Sequence, residues 1–253
     1  MAEGDTIHRA AARLNAALGG RRLELAQAPN PRSPIHHRAA ELVGRMLVEA
    51  EARGKHLLVH LSEGDVLHSH LGVEGRWIVR SDGRLPRTRA WLVLASGRGV
   101  AAQTGGRLLR LVSEARARND PGLLQLGPDP LRPGFDAAAA SSRLLAMGAG
   151  RAVGEALLDQ QVLAGVGNVI RVEACFNARV SPWRPVTALE TDEAEGLVAQ
   201  CAWVMHTSMR RGRRPQRIYG RVNRPCPRCG TPIRSRGQGD ANRIAYWCPS
   251  CQR

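Results

Sequence analysis

The sequence predicts an α+β protein: an N-terminal β-sandwich domain, then a helical C-terminal domain that ends in a metal-clasped hairpin. Three observations carry this. Short apolar runs broken by Gly, Asp and Ser fill the stretch from Arg22 to Val112, which is the punctuation of strands. Beyond residue 136, apolar residues recur at helical spacing. Four of the six cysteines fall in the last 28 residues as two Cys-x-x-Cys pairs.

In chain order, the spacing predicts a helix from about Thr6 to Leu18 and then strands around Lys55–Leu61, Gly75–Val79 and Ala90–Ala95. Asn119 to Pro133 is dense in Pro and Gly and reads as a linker. Helical spacing returns over Ala137–Met147, Gly154–Val162, Asn168–Phe176 and Asp192–Met209. The joint Leu163-Ala-Gly-Val-Gly-Asn168 holds two glycines, and Asn168 is expected to cap the helix that follows. The expected domains are 1–118, a linker 119–135, a helical domain 136–218 and a terminal finger 219–253. No internal repeat and no long low-complexity tract is visible.

The chain has 253 residues, 43% of them hydrophobic, which excludes wholesale disorder. No run approaches the roughly 20 apolar residues of a membrane span, and the opening Met-Ala-Glu-Gly-Asp carries no secretory pattern. A cytoplasmic protein without a membrane partner is therefore expected. Charge is the first functional clue. With 37 basic and 22 acidic residues the chain carries +15, a balance that suits a polyanionic partner such as nucleic acid. Arg-rich composition by itself is the competing explanation. Lys55 is the only lysine beside 36 arginines. It is either a chance survivor or a place where an amine able to shed its proton is needed.

Cys226, Cys229, Cys248 and Cys251 leave 18 residues between the pairs, inside the window for a four-thiolate zinc site. Two Cys-x-x-Cys turns complete a closed tetrahedron, so one structural Zn²⁺ is expected; disulfides are the other reading. The segment between the pairs reads as two short strands around a Gly-rich turn, with Arg234, Arg236 and Arg243 projecting. Cys175 and Cys201 sit in apolar helical patterns and read as buried, inert thiols. His68 and His70 alternate on a strand and read as strand-face residues, since no matching acidic or Cys partner sits nearby in sequence. Asp5 and Asp129 read as a helix-start and a turn residue. The run Arg210–Arg214 is a solvated loop or a track for a nucleic-acid backbone.

An ordered series of motifs then emerges. It runs Ala2-Glu-Gly-Asp-Thr, Gly54-Lys-His-Leu-Leu, Ser69-His-Leu-Gly-Val-Glu-Gly-Arg-Trp77 and Leu126-Gly-Pro-Asp-Pro-Leu131. It continues with Leu157-Leu-Asp-Gln-Gln, Gly165-Val-Gly-Asn168, Tyr219-Gly-Arg and the terminal Cys pairs. Along nearly its whole length the chain resembles the formamidopyrimidine-DNA glycosylase/endonuclease VIII family of bifunctional base-excision repair enzymes. The short stretch from Met209 to Tyr219 places the resemblance nearer the endonuclease VIII branch, which acts mainly on oxidised pyrimidines. The resemblance implies a helix–two-turn–helix domain and a zinc finger, a monomer, and association with the nucleoid. The implied partner is double-stranded DNA with an oxidised base or an abasic site.

The resemblance also implies roles. The family's nucleophile is a processed N-terminal proline; this chain has Ala2, whose primary amine is competent to form a Schiff base once Met1 is removed. Glu3 is the implied acid, Lys55 lies where the family keeps a lysine near the reacting sugar, and Asn168 and Arg243 grip phosphates. Arg243 is further implied in the second elimination, and Val73 in filling the gap left by the flipped base. The chemistry fits: an α-amine of pKa about 7.7–8.0 is about one-third free base at pH 7.5, against about 0.1% for an ordinary lysine. The implied function is a glycosylase with AP lyase activity that cuts by β/δ-elimination. The alternatives are a non-catalytic binder of damaged or abasic DNA, to which Ala2 points, and a zinc-ribbon RNA-binding or transcription accessory protein.

Overall fold

A computed structural model describes residues 2–84, 89–148 and 150–253. Two compact units emerge, Met1–Leu124 and Gln125–Arg253. The first opens with α1 (Gly4–Leu18), which buries Ile7, Ala11, Leu14 and Leu18 on one face, the i, i+4, i+7, i+11 stripe of an amphipathic helix. Gly19 and Gly20 follow, and Gly20 takes a positive φ of 68° that only glycine adopts cheaply.

Among the described residues nine strands follow: β1 (Arg21–Arg22), β2 (Leu25–Gln27), β3 (Met46–Arg53), β4 (His56–Leu61), β5 (Asp65–His70), β6 (Arg76–Arg80), β7 (Leu92–Ser96), β8 (Gly99–Thr104) and β9 (Leu108–Ser113). They form a five-stranded sheet in the order β1-β3-β4-β5-β9 and a four-stranded sheet in the order β2-β7-β8-β6. Leu47, Leu57, Val59 and Leu67 of the first sheet share one core with Ala26, Leu92, Leu94 and Ala101 of the second and with α1. This is the expected β-sandwich. Asn15 stitches α1 to β3: its Nδ2 donates to the Ala50 carbonyl at 2.8 Å and its Oδ1 accepts from the Ala50 N–H at 2.7 Å. Two short helices close the unit, α2 (Glu114–Arg118) and α3 (Pro121–Leu124), the second of them inside the stretch that its Pro and Gly content marks as a linker.

In the second unit, α4 (Ala137–Leu145) starts at Asp136, whose carboxylate accepts from the Ala139 N–H at 2.8 Å. The helix expected over Gly154–Val162 is only α5 (Val153–Ala156). Past Ala156 the backbone bonds fall to the i→i+3 type, Leu158 to Glu155 and Asp159 to Ala156, and the Gln160 carbonyl is taken by the Gly127 N–H. That tightening ends an α-helix. α6 (Asn168–Ala178) and α7 (Thr191–Arg211) complete the helical core with Val166, Ile170, Leu197 and Val204. Asn168 does not cap α6: Gly167 holds the cap position, and Asn168 is the first helical residue with its side chain turned elsewhere. Arg210 and Arg211 of the expected basic loop belong to the last turn of α7.

The chain ends in an antiparallel hairpin, β10 (Arg234–Gln238) and β11 (Arg243–Trp247). At Gly237 a Cβ would lie 1.7 Å from Asn242 Oδ1, so any larger residue there needs the Asn242 side chain to move. Among the described residues no helix is long and apolar enough to cross a membrane.

Candidate active site and metal centre

In the first unit the chemistry-bearing residues sit just before α1, on strand turns and on β4 and β5. Ala2 packs on the edge of the sandwich core. Glu3, which immediately precedes α1, is fully buried, and its carbonyl accepts from the N–H groups of Thr6 at 2.9 Å and Ile7 at 3.2 Å. Met1 lies outside the described residues.

Lys55 occupies the turn between β3 and β4, where Arg53 pairs with His56 and Gly54 takes a φ of 56°. Only two residues make this connection, and the positive φ of Gly54 gives it a twist that matches the strands. Beside it stand His56, His68 and His70. Burial, followed by the charges of Arg107 and Lys55, lowers the pKa of His70. Burial and the neighbouring histidines lower His56 to about 3, and burial with the Arg110 charge lowers His68 to about 4. All three rings are therefore neutral at physiological pH. Val73 stands 54% exposed at the turn between β5 and β6, a large apolar side chain offered to solvent.

In the second unit one residue that sequence reasoning passed over organises two that it singled out. Arg171 on α6 is fully buried. Its Nε donates to Asn168 Oδ1 at 3.0 Å, Nη1 to the Gly154 carbonyl at 3.0 Å and to Gln238 Oε1 at 2.6 Å, and Nη2 to the Arg243 carbonyl at 3.0 Å. Asn168 in turn donates from Nδ2 to the Ile244 carbonyl at 2.9 Å. Asn168 and Arg243 are thus brought together by α6 reaching into the hairpin. Arg243 also lines a cavity of ≈ 440 Å³ with Arg151, Glu155, Asp159 and Asp240. The signal in sequence was a charged residue flanked directly by Ile170 and Val172 within a helical pattern, where burial without partners is prohibitive.

Glu173, one turn above Asn168, was also missed. Burial raises its pKa, and its carboxyl accepts backbone N–H groups from Arg217 at 2.8 Å, Ile218 at 3.1 Å and Tyr219 at 2.9 Å. It ties the Tyr219-Gly-Arg segment to α6. Asp129 makes the expected turn, accepting from the Leu131 N–H at 2.9 Å, and Asp5 sits buried in the first turn of α1 near Arg9. Cys175 and Cys201 are fully buried, and burial pushes the Cys175 thiol up to about 12.

The four terminal cysteines converge. Their Sγ atoms all lie within 4.8 Å of one another, with Cys226 and Cys251 3.9 Å apart, Cys229 and Cys248 3.5 Å, and Cys229 and Cys251 3.4 Å. Metal–sulfur bonds of about 2.3 Å in a tetrahedron set sulfur separations of about 3.8 Å, so the cage has the size of one metal ion. Close packing of the sulfurs, first through Cys229, pushes the Cys251 thiol up to about 12. A cation is what allows four such sulfurs to ionise together.

Two family descriptions match this chain: "Formamidopyrimidine-DNA glycosylase N-terminal domain" over residues 1–110 and "Formamidopyrimidine-DNA glycosylase H2TH domain" over residues 126–219. A Streptomyces coelicolor protein, "Probable endonuclease 8 2", is 40% identical over 100% of this chain and 94% of its own length. The "DNA-(apurinic or apyrimidinic site) lyase Nei2" of Mycolicibacterium smegmatis is 35% identical over 100% of this chain and 99% of its own. Among solved structures, the MutM (Fpg) protein of Thermus thermophilus superposes with a TM-score of 0.82 at 29% identity, covering 99% of this chain and 98% of that one. With both halves matched and relatives aligned end to end, this chain belongs to the formamidopyrimidine-DNA glycosylase/endonuclease VIII family.

Proposed function

We propose that this protein is a base-excision repair DNA glycosylase with AP lyase activity, acting on oxidised bases, pyrimidines foremost, in double-stranded DNA. The observation that carries the proposal is the pairing of Ala2 and Glu3 at the head of α1: a partly exposed terminus followed at once by a fully buried carboxyl. Removal of Met1 frees the Ala2 amine, which is about one-third unprotonated at pH 7.5. It attacks C1′ of the damaged nucleotide and displaces the base, leaving a Schiff base to the opened sugar. Glu3 supplies the proton for ring opening and later shuttles protons. Loss of the 3′ and then the 5′ phosphate by β- and δ-elimination cuts the strand.

The other residues bind and orient. Lys55 meets the backbone near the reacting sugar, and Asn168 and Arg243 hold phosphates, Arg243 also assisting the second elimination. Val73 fills the space of the extruded nucleotide. Cys226, Cys229, Cys248 and Cys251 hold one zinc ion, the ion suited to a closed four-thiolate cage. Zinc there supplies folding energy to the hairpin and no chemistry. Residues 1–118 form the catalytic domain, 136–218 the helix–two-turn–helix domain and 219–253 the finger, joined by the linker 119–135. The protein works as a monomer in the bacterial cytoplasm, at the nucleoid.

Borohydride trapping tests this. Met1-free protein incubated with a duplex holding an abasic site or an oxidised pyrimidine is expected to yield a covalent adduct mapped to Ala2. Tight binding without any adduct would instead establish a non-catalytic binder of damaged DNA.

A further inference from the structure

The outer face of the five-stranded sheet carries a polar chain that the proposed chemistry does not use. β4 places His56 opposite His70 of β5, and β5 places His68 opposite Arg110 of β9. Asp120, which precedes α3, forms an ion pair with Arg110. Arg110 Nη2 lies 3.1 Å from His68 Nδ1, and His68 Nε2 lies 2.9 Å from His56 Nδ1. The His56 ring meets the His70 ring edge-on with centroids 4.8 Å apart.

The proton positions along this chain follow from donor chemistry. A guanidinium only donates, so His68 Nδ1 is an acceptor and the neutral ring carries its hydrogen on Nε2. That hydrogen points at His56 Nδ1, so neutral His56 also carries its hydrogen on Nε2. His70 reaches the same state separately, because the Gly72 N–H donates to its Nδ1 at 3.1 Å. Burial keeps all three rings neutral. His56 follows Lys55 directly in the chain and is only partly buried.

We propose that Arg110, clamped by Asp120 and acting through His68, fixes His56 as an Nε2–H donor beside Lys55, so that His56 makes a further hydrogen bond to the DNA phosphate received at that turn. His56 is then a binding residue, and Arg110 and Asp120 are positioning residues. The inference rests on the DNA-binding reading above. It adds a neutral donor next to a cation, which contributes affinity without releasing a counterion.

Binding of a duplex with a tetrahydrofuran abasic analogue, titrated over salt, reads the contact. His56→Ala is expected to weaken binding about tenfold with the salt slope unchanged, and His56→Gln, which keeps an N–H near the same place, to restore most of it. Arg110→Gln is expected to cost a similar factor in the native protein and nothing further in the His56→Gln background. Long-range ¹H–¹⁵N spectra of the free protein are expected to show His56 and His68 as Nε2–H tautomers, with the His56 pattern lost in Arg110→Gln and in the milder Asp120→Asn. Unchanged affinity in His56→Ala, a salt slope lowered by about one, or an Nδ1–H tautomer at His56 would each overturn the inference. The spectra need no DNA. A correct tautomer pattern in a protein that binds no duplex would sink the DNA-binding reading instead.

Discussion

Arg171 donates from Nε to Asn168 Oδ1 at 3.0 Å, one turn back along α6, while its far end holds the carbonyl of Arg243 on β11. One buried guanidinium thus sets the position of the two residues proposed to hold phosphates. Arg171→Met is expected to lower the stability of the protein by about 2–4 kcal/mol, since it strands several buried acceptors at once. Urea unfolding measures this, and abasic-duplex affinity should fall with it. A variant as stable as the parent would show that these acceptors find water instead.

The cysteine cage predicts metal content. Purified protein is expected to hold about one zinc per chain, and Cys248→Ser to loosen the hairpin and weaken DNA binding. Because Phe176 of α6 shares an apolar cluster with Cys226 and Cys248, the loss should propagate to the melting of the second unit. Full DNA affinity in verified metal-free protein would contradict this.

Histidines give the sandwich opposite pH limbs. His60 lies 3.0 Å from Glu114 and 3.4 Å from Glu51, and its hydrogen bond to Glu51, then that to Glu114, raises its pKa above 6.5. Its contribution is complete below the unfolded value and fades as pH rises through the folded one. His56 and His68 are lowered to about 3 and about 4, so their contribution is complete above 6.5 and fades as pH falls toward those values. Denaturant midpoints measured from pH 4 to 8 should show His68→Gln flattening the acid limb and Glu114→Gln flattening the alkaline one. Parallel profiles for all three proteins would refute the assignment.

Glu3 and the terminus separate two half-reactions. Glu3→Gln is expected to suppress release of an oxidised base while sparing much of the cleavage at ready-made abasic sites, because the acid is needed to open an intact nucleoside. Retained Met1, or any N-terminal tag, should abolish both by moving the amine from its place. Equal loss of both reactions in Glu3→Gln would assign Glu3 a purely structural role.

A chain of +15 that contacts about six phosphates should lose on the order of 10³-fold in DNA affinity between 50 and 200 mM salt. Arg243→Ala should lower the slope by about one, whereas Asn168→Ala should weaken binding with little change of slope. A flat salt response would make the arginines compositional and not a DNA footprint.

Much of this was legible in the residues. The short apolar runs broken by Gly, Asp and Ser specified the sandwich, the helical spacing specified α1, α4, α6 and α7, and the two Cys-x-x-Cys turns specified a metal cage, because each is a local pattern with one low-energy solution. Folding decided the rest. The helix over Gly154–Val162 gave way to the short α5, and the distant Gly127 N–H claimed the Gln160 carbonyl. Asn168 left the cap position for a partner 76 residues away. Arg171, Glu173 and the chain Asp120–Arg110–His68–His56 carry no motif. Their partners lie on other strands or helices, and a buried polar side chain reveals its role only when tertiary packing removes water and dictates which group must replace it.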